Sequence, residues 1–133
     1  MQQDKQQAER DLQLIADMER CKTVILNIRT DHKALQWAKK HRVFEYCGRA
    51  FGSYPDSKWR NPFTPKNKSE AERDRVCDEF EEYLKQHPHL LRHLHELKGK
   101  ALACWCAPLR CHCESLLKRV REYEKTVQTE LPL

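Results

Sequence analysis

A chain of 133 residues with three glycines and 34% charged side chains is long enough for one domain with a real core, and too glycine-poor for an all-β or loop-rich protein. Its formal charge of +5, with 20 acidic residues interspersed among 25 basic ones, permits a nucleic-acid or acidic partner without marking the chain as a polycation. Seven cysteines are an odd number, no apolar leader opens the chain, and the longest apolar run, 101–109, falls far below the roughly 20 residues of a membrane span.

Reduced thiols in a cytoplasmic setting, with no membrane partner, are therefore expected, used for metal binding or catalysis rather than as a disulfide framework. Residues 4–20 are polar and helix-favouring. Ala8, Leu12 and Ile15, with Leu14 and Met18 beside them, form a narrow apolar stripe, which predicts an amphipathic helix packed on the domain or on a partner. Thr23-Val-Ile-Leu-Asn-Ile28 is β-branched and almost uniformly apolar, the pattern of a strand buried on both faces. Asp31 is placed to cap a helix that carries Ala34, Leu35, Trp37 and Ala38. Val43-Phe-Glu-Tyr-Cys47 reads as a second strand. Gly48 and Arg49 close it, and a glycine there allows close backbone approach or a turn with positive φ.

Residues 50–68 form a long loop with Pro55, Pro62, Pro65 and Gly52, densest at Lys58-Trp-Arg-Asn-Pro-Phe63. An aromatic ring, two cations and an amide within six residues suit a flat anionic ligand, by stacking and charge-assisted hydrogen bonds. The equal alternative is that Trp59 and Phe63 pin the loop to the core. Ser69-Glu-Ala-Glu72 is a capping box, opening a helix whose Val76, Phe80, Tyr83 and Leu84 face inward, with Cys77 a bystander. His87 and Pro88 end it. Pro88 opens a further helix bearing Leu90, Leu91, Leu94 and Leu97 on one side, and Gly99 stops it. His89 and His93 read as surface residues rather than a metal pair.

Residues 101–105 make the third strand, and a last helix starts near Cys111 or His112, runs through Leu116, Leu117, Val120 and Tyr123, then fades into a polar tail. The order β-α-β-loop-α-α-β-α predicts the α/β class: a small three-layer Rossmann-like domain, its short and mostly parallel sheet covered by helices. The division expected is a helical extension over 1–21, the α/β domain over 22–117, and the helix end with its tail over 118–133.

Chemistry concentrates where the third strand meets the last helix, in Cys104-Trp-Cys-Ala-Pro-Leu-Arg-Cys-His-Cys113. Ligand sites of α/β domains open at such strand-to-helix turns. Residues two apart on a strand share a face, so Cys104 and Cys106 can point together. Cys111 and His112 lie at a helix N-terminus, which favours negative charge. Three readings follow. In the first, Cys111 is a depressed-pKa thiolate and nucleophile, with His112 or a neighbour as acid or base. In the second, Cys104, Cys106, Cys111 and one of His112 or Cys113 bind zinc, although the spacing lacks the paired Cys-x-x-Cys knuckles of zinc ribbons. In the third, the cysteines are small packed residues and His112 is a cap.

Val24-Ile-Leu-Asn-Ile-Arg29, Tyr46-Cys-Gly-Arg49, Ser57-Lys-Trp-Arg-Asn-Pro-Phe63 and Cys104-Trp-Cys-Ala-Pro-Leu-Arg-Cys-His112 occur in the order seen in the domain of unknown function 4326, an uncharacterised family of phages and bacteria that residues 22–117 resemble. The resemblance implies a compact α/β domain with a shared site and brings no established reaction. The family usually has glycine where this chain has Arg60, and glycine then aspartate where it has Cys113 and Glu114. The matching metal set is then Cys104, Cys106, Cys111 and His112. The function expected first is binding of a nucleotide- or nucleoside-like ligand at the strand C-terminal ends, with transfer or hydrolysis as the reaction class to test. Asn27, Arg29, Gly48, Arg49, Lys58, Trp59 and Asn61 would line that pocket opposite Cys111 and His112. The alternative is a non-enzymatic, zinc-stabilised module whose basic loop contacts nucleic acid or protein.

Overall fold

The computed structural model describes residues 2–130, with side chains from 4 to 125. Three short apolar runs become strands: β1 (Val24–Asn27), β2 (Phe44–Tyr46) and β3 (Ala101–Cys104). They form one wholly parallel sheet in the order β1-β3-β2. The last strand in sequence is thus the central one. It pairs Leu26 with Ala103 on one side and Tyr46 with Ala103 on the other. Its composition suits that place, because Ala-Leu-Ala-Cys carries no polar side chain and all four residues are buried.

The twofold alternation of the strands divides the core. Ala101 and Ala103 look towards α1 (Gln2–Glu19) and α2 (His32–Lys40), in a cluster with Leu26, Ala34, Ala38, Leu14 and Met18. Leu102 and Cys104 look the other way, towards α3 (Glu70–Lys85), α4 (Pro88–Leu91) and α5 (His112–Glu130), joining Phe80, Leu84, Leu97, Leu116 and Val120. Burying one such leucine side chain stabilises the fold by about 1.5–3 kcal/mol. The result is a three-layer α/β domain, and among the described residues no helix is long and apolar enough to cross a membrane.

Several expected details resolve differently. Asp31 does not cap α2 through its own side chain. The carboxylate of Asp11, from α1, accepts the Ala34 N–H at 3.0 Å instead. Asp31 is fully buried and accepts from the Asn27 N–H, from Gln7 and from two nitrogens of Arg10. This polar anchor rotates α1: Asp11, Leu14 and Met18 face inward, while Leu12 is 67% exposed and Ala8 is also outside. The capping box of α3 is half made. Ser69 Oγ accepts the Glu72 N–H, but the Glu72 carboxylate takes the Lys66 N–H and Arg75, which holds it down at about 2.

The helix expected across 88–97 is broken into α4 and a separate 3-10 turn, Leu94–Leu97. Gly99 follows it with φ of +74°, where a glycine relieves backbone strain. Tyr123 is exposed on α5. That helix continues to Glu130, and residues 131–133 of the expected tail lie outside the described residues.

Candidate functional site

The C-terminal ends of all three strands open into one cleft of about 550 Å³, within the range of small-molecule sites. β1 delivers Arg29 to it, β2 delivers Gly48 and Arg49, and β3 delivers Trp105 and Cys106. The first turns of α3 and α5 add Ser69, Arg73, Cys111 and His112. Two helix N-termini therefore border the same cleft. Their dipoles favour an anion.

The ligand-binding set expected from sequence is largely engaged in holding this shape. Asn27 is buried and outside the lining; its amide donates to the Ala107 carbonyl at 2.6 Å and to Trp105 O at 3.4 Å, and its Oδ1 accepts the Arg29 N–H at 2.8 Å. It ties the end of β1 to the turn after β3. Arg49 donates to the carbonyls of Asn61 and Phe63. Asn61 donates to Val76 O on α3 and accepts the Phe63 N–H. Together these two pin the long loop against α3. Gly48 is needed for close approach, since a Cβ there would sit 2.6 Å from the Tyr46 hydroxyl oxygen.

Two members of the set lie away from the cleft. Trp59, expected to stack on a ligand, is 1% exposed and sits in the core with Leu102 and Phe80. A ring of that size, flanked by a half-exposed chain, gains more from the core than from solvent. Lys58 lies over Trp59 and pairs with Glu96 at 2.5 Å on the outside. Of the expected cations, only Arg29 enters the cleft with its side chain free of hydrogen bonds and ion pairs among the described residues. It rests 5.6 Å from the Trp105 ring.

Sequence reasoning missed Arg73, Trp105 and Phe51. Arg73 lines the cleft and makes no side-chain hydrogen bond or ion pair among the described residues. The signal for it was spacing: Ser69, Arg73 and Cys77 recur every fourth residue of α3, so they share one face. Trp105 stands edge-on to Phe51 and Tyr46, donates its Nε1–H to the Tyr46 hydroxyl at 3.0 Å, and makes an aromatic wall with them.

Beneath the wall lie the thiols. The sulfurs of Cys104, Cys111 and Cys113 are all within 4.8 Å of one another, and all three residues are buried. Among the described residues these three are the group of metal-ligating side chains close enough to share a cation. Cys106 and His112, expected in the metal set, are not among them, and Cys113 takes their place. Cys104 ends β3, while Cys111 precedes the first residue of α5 and Cys113 lies in its first turn. That is why strand and helix deliver sulfurs to one point. The neighbouring thiols of Cys111 and Cys113, then the backbone of Ala107 and Cys106, favour the charged form of Cys104 and draw its pKa below the ordinary value. The same sulfur lies 3.6 Å from the Leu26 carbonyl, a contact that would use a thiol proton. Polarisation by its neighbours opposes that contact and favours charge at Cys104 over the other two sulfurs. The proximity of Cys104 in turn pushes Cys111 and Cys113 up.

The nucleophile expected at Cys111 is 4% exposed, and its neighbours and burial raise its pKa well above the ordinary thiol value. The exposed cysteine of this turn is Cys106. The neighbouring Cys111 thiol, with the charges of Arg73 and Arg29, brings the Cys106 thiol down to about 7. Adjacent Cys and His side chains diverge on a regular helix, but Cys111 lies just outside α5, and its Sγ comes 3.6 Å from His112 Nδ1. His112 Nε2 faces the Cys47 carbonyl at 2.7 Å, so Nε2 carries the proton and Nδ1 presents its lone pair to Cys111. Burial lowers the His112 pKa, which keeps the ring neutral near pH 7. The Glu114 carboxylate closes the turn by accepting the Cys111 N–H at 3.0 Å.

The chain is 40% identical over 60 residues to an uncharacterised protein of Acanthamoeba polyphaga mimivirus, a match covering 45% of this chain and 44% of that protein. It thus spans less than half the length of that relative. No solved structure matches it. The family described as "Domain of unknown function (DUF4326)" matches residues 28–122, which include every strand residue from β2 onward and the whole lining of the cleft, and the chain belongs to that family.

Proposed function

We propose that the cleft binds a small anionic ligand with a flat ring, of the nucleotide class, in a reducing compartment such as the cytoplasm. The observation that carries the reading is the pair Arg29 and Arg73. Both guanidiniums line the cleft, and neither makes an ion pair among the described residues. The protein's other cleft arginines are neutralised or engaged: Arg110 by Asp74 and Asp78, and Arg49 by loop carbonyls. Two unpaired guanidiniums above two helix N-termini suit a phosphate or pyrophosphate. The wall of Trp105 and Phe51 suits a base by stacking. In this reading Cys106 faces the ligand, and Cys111 with His112 supports it from below. The seven free thiols require reducing surroundings.

The test is calorimetric titration of nucleoside mono-, di- and triphosphates and of inorganic pyrophosphate into the reduced protein. Arg29→Ala and Arg73→Ala are each expected to weaken the best ligand about tenfold, equivalent to roughly 1.4 kcal/mol, with the melting temperature unchanged. Absence of binding by every probe at millimolar concentration, or full affinity in both variants, would refute the reading.

A further inference from the structure

We infer that Cys104, Cys111 and Cys113 form a three-thiolate site for a zinc-class cation, its fourth coordination position on the side of Cys106 and the cleft. The inference stands apart from the nucleotide reading, because it concerns the floor beneath the cleft and its probe is the metal ion alone.

Zinc–sulfur bonds of about 2.3 Å in a tetrahedron place neighbouring sulfurs about 3.8 Å apart, so the three sulfurs need to close by at most about 1 Å. They come from the end of a central strand and from the start of a 19-residue helix. These are stiff, buried elements rather than mobile loops. Small apolar packing alone gives no reason for three sulfurs to converge. An isolated cysteine packs as well with its sulfur against a methyl group, and Leu102, Leu116 and Phe80 surround this point.

Charge also fits. Three thiolates with a divalent cation carry a net charge of −1, which burial opposes. The start of α5 offers its dipole to that charge. The other candidates are otherwise engaged. The Nε2 of His112 is held by the Cys47 carbonyl, and its Nδ1 approaches Cys111 alone. Cys106 is exposed and lies outside the trio.

The experiment uses the full chain, reduced anaerobically and stripped of metal. Cobalt(II) is titrated while the thiolate-to-cobalt charge-transfer absorption is followed, and zinc is then added to displace it. One cobalt per chain is expected, with the absorption lost on adding zinc. Cys113→Ser should weaken cobalt on the order of 100-fold, and Cys21→Ser should leave it unchanged. Should Cys113→Ser fail to fold, the wild-type protein still decides. It is alkylated in enough denaturant to expose all seven thiols, with and without zinc, and mapped by mass spectrometry. Protection of Cys104, Cys111 and Cys113 is the expected pattern. A missing charge-transfer band overturns the inference. So does a metal retained by Cys113→Ser but lost in Cys106→Ser or His112→Ala, or zinc that protects none of the three.

Discussion

Asn27 separates a ligand contact from a structural clamp, and its replacement gives opposite results under the two roles. The side chain is 7% exposed and makes one strong bond to the Ala107 carbonyl, a longer one to Trp105 O, and one from the Arg29 N–H. Asn27→Ala leaves the buried Ala107 carbonyl without that donor, a loss of about 1–3 kcal/mol, whereas the exposed Arg29 N–H can turn to water at a cost of about 0.5–1. The expected destabilisation is therefore about 2–3 kcal/mol. Asn27→Asp is nearly isosteric but points carboxylate oxygens at two carbonyls. It should cost more than alanine at pH 7, because repulsion and burial favour the protonated acid. The folded pKa of the introduced aspartate then lies above its unfolded value of about 3.9. Its stabilising, protonated form is fully present below about pH 4 and is lost as pH rises through the folded pKa. Relative to the wild type, Asn27→Asp should thus recover between pH 7 and pH 4, and Asn27→Ala should not. Urea unfolding followed by tryptophan fluorescence at both pH values reads the difference. An alanine variant within about 0.5 kcal/mol of the wild type, weakened only in ligand affinity, would return Asn27 to the pocket and refute the clamp.

Other substitutions probe the same division of labour. Trp59→Ala should cost about 3–5 kcal/mol as a core truncation, while Lys58→Ala, whose pair with Glu96 is exposed on both sides, should change stability by less than about 1. Equal effects in a denaturation series would contradict the placement of Trp59. A chain starting at residue 22 loses Leu14, Met18, the Asp11 cap on α2 and the Arg10 partner of the buried Asp31. Breaking a buried pair alone costs about 3–5 kcal/mol, so cooperative melting should vanish by circular dichroism; a melt within a few degrees of the full chain would show α1 to be dispensable. Gly48→Ala drives a methyl group against the Tyr46 ring, 2.8 Å from its Cζ, at a cost of about 1–3 kcal/mol. Displacing that ring breaks the Trp105–Tyr46 bond, so the emission of Trp105 should shift to the red, and an unchanged spectrum would mean the ring need not move.

The elements were legible because their periodicity is local. Val24–Asn27 and Ala101–Cys104 stand out as apolar runs, and the Val76, Phe80 and Leu84 stripe of α3 needs only a 3.6-residue count. What was not legible depends on partners distant in sequence. The face of α1 follows from Asp11 meeting Ala34 on α2 and Arg10 meeting Asp31 just before it, and no count of apolar residues contains that information. The ligand set failed for a related reason. A side chain that suits an anion or an amide edge also suits a backbone carbonyl or N–H, and Arg49, Asn61 and Asn27 all found theirs within the chain. The region of the thiol chemistry could be read from the strand-to-helix turn. Which sulfur is exposed could not, because the turn between β3 and α5 leaves Cys106 outside and buries Cys111, and that depends on how the turn packs against the rest of the domain.

Connectivity explains why the cleft opens at this end of the sheet. The chain leaves β1 for α2 on one face, but leaves β2 and β3 for α3 and α5 on the other. The connections after the neighbouring strands β1 and β3 therefore diverge, and diverging connections leave a crevice beyond the strand ends. Asn27 spans that gap just where β1 and β3 end side by side, at the Asn27–Cys104 pair. One amide thus fixes the separation between Arg29 on one lip and the Trp105-Cys106 turn on the other. The same pairing sets Cys104 one layer below, where the start of α5 brings Cys111 and Cys113 to it. Cleft and thiol floor are accordingly two consequences of a single strand register, and a slip of one residue in β3 would turn Leu102 and Cys104 to the opposite face and abolish both.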